Sequence, residues 1–233
     1  MKIFKKILLI LIIIILLGFC LFVGAGYLNY AKAIKKTSIT EKVAAIQGKE
    51  NYVRYENINE DLLKATVSIE DRRFYEHDGV DYVSLTRAFV DNMFAKNIVG
   101  GGSTITQQLA KNMYFTLQPS YIRKVSEVFM AYDIEKVLDK KQIIELYVNI
   151  INYGDNYMGI KEASFGYFKK DPHALTLDEA TLLAGLPQSP SNFQLSNHKP
   201  QALLRQRAVL EAMVRDKHII QSQMDEIVSE SFR

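Results

Sequence analysis

Cysteine is nearly absent from the 233-residue chain: Cys20 stands alone, inside an apolar run. One thiol permits no internal disulfide and no thiolate metal site. Histidine is scarce too. His77, His173, His198 and His218 are scattered without metal-ligand spacing, so no zinc site is indicated. Acidic residues are missing from the first 36 positions, where Lys2, Lys5, Lys6, Lys32, Lys35 and Lys36 stand. Setting those six lysines aside from the 29 basic residues leaves 23 against 26 acidic, so the remainder is slightly acidic although the net charge is +3. Nucleic-acid binding would call for a basic stripe on the folded part. Here the basic surplus flanks an apolar segment and suits anionic lipid headgroups. Strand-like alternation, internal repeats and low-complexity linkers are also wanting, which leaves a mainly α domain.

The apolar run itself is long. From Ile7 to Tyr27, "ILLILIIIILLGFCLFVGAGY" holds no charged residue, enough to cross a bilayer core, which takes about 20 helical residues. A removed signal sequence is the competing reading, but the run exceeds the apolar part of a typical signal peptide. The cleavage-like "AKA" at Ala31–Ala33 has Lys32 inside it, and Phe19 before Cys20 suits a lipoprotein site poorly. An uncleaved anchor is therefore expected. Three lysines flank each end, so charge alone leaves the orientation open. The short N-terminal tail favours a cytoplasmic N-terminus with the domain on the outer face. The expected division is a tail at 1–6, a transmembrane anchor at 7–28, a polar stalk at 29–55 and a mainly helical domain at 56–233.

Within that domain, "NEDLLKATVSIEDRRF" has helical apolar spacing with acids at its start. Residues 120–153 are helical almost throughout, with a break expected around Asp139. Thr176 and Glu179 form a capping-box pattern before a helix closed by Pro187 and Pro190. Two further helices follow at 200–219 and 220–232. The stretch 80–99 carries Leu85, Phe89, Val90, Met93 and Phe94. That is a core-facing stripe on periodicity alone, or a surface that dips into the membrane.

Three stretches hold chemistry-bearing residues at suggestive positions. "GGGSTITQQLAKN", residues 100–112, opens a helix with glycines that let backbone approach a ligand, at an end with unpaired N–H groups. Thr104, Gln108 and Lys111 share one face, while Ile105 and Leu109 face the core. The stripe suits a phosphate or sugar-phosphate; it equally describes an N-cap followed by a solvated face. It is not a nucleotide P-loop, because no Gly-Lys-Ser/Thr follows. In "SIEDRRFYEHDGVD", residues 68–81, Glu70 ends an apolar run. A carboxylate among apolar neighbours acquires a raised pKa and can act as a base near neutrality; a charged helix end with weak salt bridges is the plainer alternative. In "RKVSEVFMAYDIEK", residues 123–136, Arg123 and Glu127 lie four apart on one face. They make either a surface ion pair or a cation beside a carboxylate that holds a divalent metal against phosphate.

Taken together and in order, these stretches resemble the motifs of the peptidoglycan glycosyltransferases, glycosyltransferase family 51. "EDRRFYEHDG" is similar to the first motif, "GGSTITQQLAKN" to the second and "RKVSEVFMAYDIEK" to the third. "IIELYVNIINYGDNYMGIKEASFGYF" resembles the fourth and "LLAGLPQSPS" the fifth. The likeness covers about residues 60–195. The short remainder resembles the monofunctional, membrane-anchored members that lack a transpeptidase domain.

The resemblance implies a lysozyme-like α fold with a smaller membrane-associated lobe that includes residues 80–99. It implies polymerisation of lipid II into glycan strands: an acceptor 4-hydroxyl attacks the donor's anomeric carbon, undecaprenyl pyrophosphate leaves, and a β-1,4 link forms with inversion. Glu70 is then the base. Lys111 and Arg123 neutralise the pyrophosphate, and Glu127 is a second catalytic carboxylate holding Mg²⁺ or Mn²⁺. Asp71 and His77 orient Glu70 or the acceptor, while Ser103, Thr104, Gln107 and Gln108 grip sugar and phosphate. Implied partners are lipid II, a lipid-linked glycan chain, the membrane, and cell-wall synthases or division proteins; no nucleic acid is implied. A lysozyme-like hydrolase and a non-catalytic lipid II-binding module are the alternatives. Hydrolysis of a sugar–sugar bond wants a general acid, which leaves the lysine and arginine surplus. A binding module does not need both Glu70 and Glu127.

Overall fold

The computed structural model describes residues 2–94, 102–116 and 120–231, with the backbone alone for Lys2, Phe89, Asp91, Asn92, Phe94 and Ser231. Twelve α-helices are described: α1 (Lys2–Lys36), α2 (Ile39–Gln47), α3 (Glu60–Glu70), α4 (Tyr82–Phe94), α5 (Ile105–Tyr114), α6 (Tyr121–Val137), α7 (Lys140–Ile150), α8 (Ile160–Phe168), α9 (Leu177–Gly185), α10 (Pro190–Phe193), α11 (Lys199–Arg215) and α12 (Gln221–Ser231). Among the described residues, extended pairing is limited to an isolated antiparallel bridge between Asn152 and Met158. The mainly α expectation holds.

Several helix limits follow from capping chemistry readable in the sequence. Asp139 accepts from the Gln142 N–H at 2.8 Å, and Gln142 accepts from the Asp139 N–H at 3.0 Å, which closes α6 and opens α7. Thr176 and Glu179 close a second reciprocal box at the start of α9. Such boxes satisfy two otherwise unpaired amides at once.

The expected stalk is not a stalk. Helix α1 continues to Lys36, and α2 packs on α7. Ile39, Ile46 and Val53 are buried in the domain core. Asn149 of α7 accepts from the Val53 N–H and donates to the Val53 carbonyl, both at 2.8 Å. Composition made 29–55 look solvated because its apolar residues are sparse. Ile39 and Ile46, seven apart on one face of α2, and Val53 just beyond the turn that follows suffice to dock the segment.

Helix α5 lies between α6 and α7. Ile105, Leu109 and Ala110 are fully buried there, as the apolar face required. Helix α3 packs against α9 and α11 and delivers Glu70 at its last turn. Gly79, at φ +90°, brings the following loop so close to α6 that a Cβ would sit 3.1 Å from the Ala131 carbonyl; only glycine adopts that conformation at that separation. On α4, Tyr82, Val83, Leu85, Val90 and Met93 are exposed. The core-stripe reading of 80–99 therefore fails for these side chains. Phe89 and Phe94 as side chains, and residues 95–99, lie outside the described residues.

Candidate active site

Glu70 leaves the end of α3 and is nearly buried, but its neighbours are not merely apolar. The Gln108 amide donates to one oxygen at 2.8 Å, and the Arg205 guanidinium reaches the other at 3.2 Å. Gln108 is itself oriented, because the buried Tyr147 hydroxyl donates to its oxygen at 3.2 Å. Burial first, then the Glu70 charge, pushes the Tyr147 phenol well up, so it remains a neutral donor at working pH. A chain from Tyr147 through Gln108 thus fixes one carboxylate oxygen, and α11 braces the other.

Arg205 lies outside all five stretches. A signal was present: Ala202 and Val209, three before and four after it, are fully buried, so Arg205 is a cation within an apolar stripe and needs a partner. Gly185, in the fifth stretch, makes room for it. A Cβ there would lie 2.9 Å from the Arg205 Cγ.

Asp71 and His77, expected to orient Glu70 or the acceptor, are paired with each other. Both are buried, and His77 Nε2 stands 3.0 Å from each Asp71 oxygen. Asp71 Oδ2 accepts from the Ile105 N–H at 3.0 Å, the first amide of α5. This carboxylate therefore neutralises the positive end of α5 from within. Thr104 and Gln107 are likewise consumed locally. They form the N-terminal capping box, and the Thr104 hydroxyl donates to the Gly79 carbonyl at 2.6 Å. The helix end is closed to a ligand. Gly102 serves packing too, since a Cβ would stand 3.1 Å from Leu85 Cα on α4; Gly100 and Gly101 lie outside the described residues. Asp71→Asn should cost about 1–3 kcal/mol, the usual range for a charge-assisted buried bond. It would be read as a lower denaturation midpoint together with faster hydrogen exchange at the Ile105 amide; an unchanged midpoint would remove Asp71 from this role.

One turn further in stand Gln108 and Lys111. The Lys111 ammonium is half-buried, and among the described residues it has no hydrogen-bond or ion-pair partner. Desolvation lowers its pKa, and the Glu127 charge, the next largest influence, opposes that; Lys124 and Arg123 reinforce the lowering, and Glu70 raises it. Lys111 thus stands in the field of both carboxylates.

Glu127 is 1% exposed. Its oxygens are taken by Arg123 Nε at 2.8 Å and Lys124 Nζ at 2.9 Å. The pair expected at 123 and 127 exists, but buried and with a third member. Lys124 also donates to the Ser103 hydroxyl, and Arg123 donates to the Thr116 carbonyl at 3.0 Å. Lys124, three residues before Glu127, has the same helical spacing for contact as Arg123, four before it. The donor set does not fit a protein-held divalent ion. Among the described residues no group of three His, Cys, Asp or Glu side chains converges, and Glu127 is spent on two cations. Ser103 binds Lys124 instead of standing free.

The chain is similar to several known proteins. A family model described as Transglycosylase matches residues 36–214. Penicillin-binding protein 1A of Aquifex aeolicus is 43% identical over 178 residues, which are 76% of this chain and 24% of that protein. Penicillin-binding protein 1A of Neisseria lactamica is 39% identical over 191 residues, 81% of this chain and 24% of that protein. Among solved structures, penicillin-binding protein 1A from Haemophilus influenzae aligns with a TM-score of 0.45 and 20% identity, over 77% of this chain and 17% of that one. The chain spans about a quarter of the length of the curated relatives it matches.

Proposed function

Because the chain belongs to the transglycosylase family, we propose that it polymerises lipid II into linear β-1,4 glycan strands at the outer face of the cell membrane, with its N-terminus cytoplasmic, releasing undecaprenyl pyrophosphate. The observation that carries the reading is Lys111: a half-buried ammonium with no partner among the described residues, in the field of Glu70 and of the Glu127 cluster. A buried cation without a partner is costly, and an anionic ligand would relieve that cost.

The reaction is inverting. Glu70 accepts the proton of the acceptor 4-hydroxyl as its oxygen bonds to the donor's anomeric carbon. The bond from that carbon to the pyrophosphate oxygen breaks, and the leaving group departs with the electron pair. It is already a stable anion, so it needs neutralisation more than a proton; Lys111, Arg123 and Lys124 supply this. Glu127 is a positioning residue that holds Arg123 and Lys124 together. Gln108 and Arg205 aim Glu70. The charge that Mg²⁺ or Mn²⁺ would offer the pyrophosphate is provided here by these side chains. The exposed apolar residues of α4 suit partial contact with the bilayer that carries the substrate.

The test is incubation of the purified protein with labelled lipid II in detergent and in vesicles, with products sized by gel. A lysozyme-sensitive polymer supports the proposal. Shortening of preformed glycan strands would point to a hydrolase, and retention of lipid II without turnover to a binding module.

A further inference from the structure

Helix α1 is too long to be only an anchor. Its 35 residues reach about 52 Å, against about 30 Å of bilayer hydrocarbon. The excess is packed on α6, the helix that carries Arg123, Lys124 and Glu127. The contact is close and specific. Gly26 is buried, and a Cβ there would fall 2.5 Å from both Cβ and Cγ1 of Val125. Ser126 donates to the Gly26 carbonyl at 2.8 Å and accepts from Asn29 at 3.0 Å. One turn on, Tyr30 bonds to Asp133, and Tyr27 and Tyr30 pack on Phe129. The two helices therefore run parallel, with the first turn of α6 toward the lipid. Tyr121 there is 85% exposed, an aromatic side chain at the level where such residues anchor to headgroups.

The register has a consequence in height. Gly26 lies 19 residues beyond Ile7, the first residue after Lys5 and Lys6, or about 28 Å along the helix. That is close to the full hydrocarbon thickness of about 30 Å. Arg123 and Lys124 stand two and one residues before Val125, at the same level. Small residues let helix backbones approach and lock their register. We infer that the Gly26–Val125 contact sets the height of the Arg123, Lys124 and Lys111 cluster at the headgroup plane, which makes Gly26 a positioning residue for a membrane-borne pyrophosphate donor. The inference rests on the proposed function. It adds that the anchor is a rigid gauge and not a flexible tether.

Helix α6 is braced on its other side by fully buried Met130, Ala131 and Ile134. A side chain at 26 should therefore displace α1 and leave α6 in place. For Gly26→Ala, KM for lipid II in vesicles should rise about tenfold or more. With detergent-dispersed lipid II, where substrate height is free, the loss should stay within about threefold. The swap Gly26→Ala with Val125→Gly should restore the vesicle KM. An unchanged vesicle KM, or an equal unrestored loss in both media, would overturn the inference. Height is also measured directly, with a nitroxide on Tyr121→Cys in a Cys20→Ala background in nanodiscs. The label should lie at the headgroup level and move when Gly26→Ala is added; a label that does not move also overturns the inference. Absence of any polymer from the wild-type chain would sink the proposed function alone, because the label still reports the height.

Discussion

Replacing Glu70 by glutamine should lower kcat and kcat/KM for lipid II polymerisation together by about 10²–10⁴-fold, the usual worth of a positioned general base. The amide keeps the shape of the carboxylate but cannot take a proton from the acceptor hydroxyl. Lipid II binding should survive, because the donor cations are untouched. The substitution leaves Arg205 without its anionic partner, so some loss of stability is expected as well. Glu70→Asp separates the two effects: it keeps the charge beside Arg205 but withdraws the oxygen from the acceptor, so stability should recover while the rate stays low. Equal polymerisation by Glu70→Gln and wild type would remove Glu70 as the essential base without touching the family assignment.

Lys111→Met should reduce kcat by about 10²–10³-fold, comparable to losing one preorganised donor to developing negative charge. The pH dependence sharpens this. Burial holds the Lys111 pKa below its ordinary 10.5, with the Glu127 charge acting in the opposite direction. The alkaline limb of kcat/KM, which reports the free enzyme, should therefore fall below that value. A bound pyrophosphate favours the charged form, so the limb in kcat should lie higher. Lys111→Arg should remove the limb while retaining part of the rate. For stability the sign is reversed from that of an ion-paired lysine. A depressed lysine pKa means that folding disfavours the charged form, a penalty present at neutral pH and relieved as pH rises past the folded-state value. Lys111→Met should accordingly raise the denaturation midpoint while lowering kcat. A variant that loses activity and stability together would indicate a structural lysine instead.

Much of the site was legible because it is local. Glu70 at the end of an apolar run, the face shared by Gln108 and Lys111, and the Arg123–Glu127 spacing all follow from helical periodicity. The helix limits at Asp139 and Thr176 are side-chain chemistry within four residues. What periodicity could not show is which polar groups are spent on the protein itself. Asp71 and Thr104 look ligand-ready in sequence, but the first is bonded to an amide 34 residues away and the second to a carbonyl 25 away. Arg205 shows the converse: it meets Glu70 across 135 residues, a separation no spacing rule spans.

By itself the sequence determined the helical class, the apolar N-terminal segment, the order of the five stretches and the places of Glu70, Lys111, Arg123 and Glu127 within them. Each of these is carried by residue type and short-range period. Tertiary structure alone decided that residues 29–55 are docked and not free, that the start of α5 is closed by Asp71, that Glu127 serves two cations, and that α1 meets α6 at Gly26. The reason is common to all four. Burial and desolvation depend on which helices come together, and a polar side chain acquires its role from the partner that packing places against it.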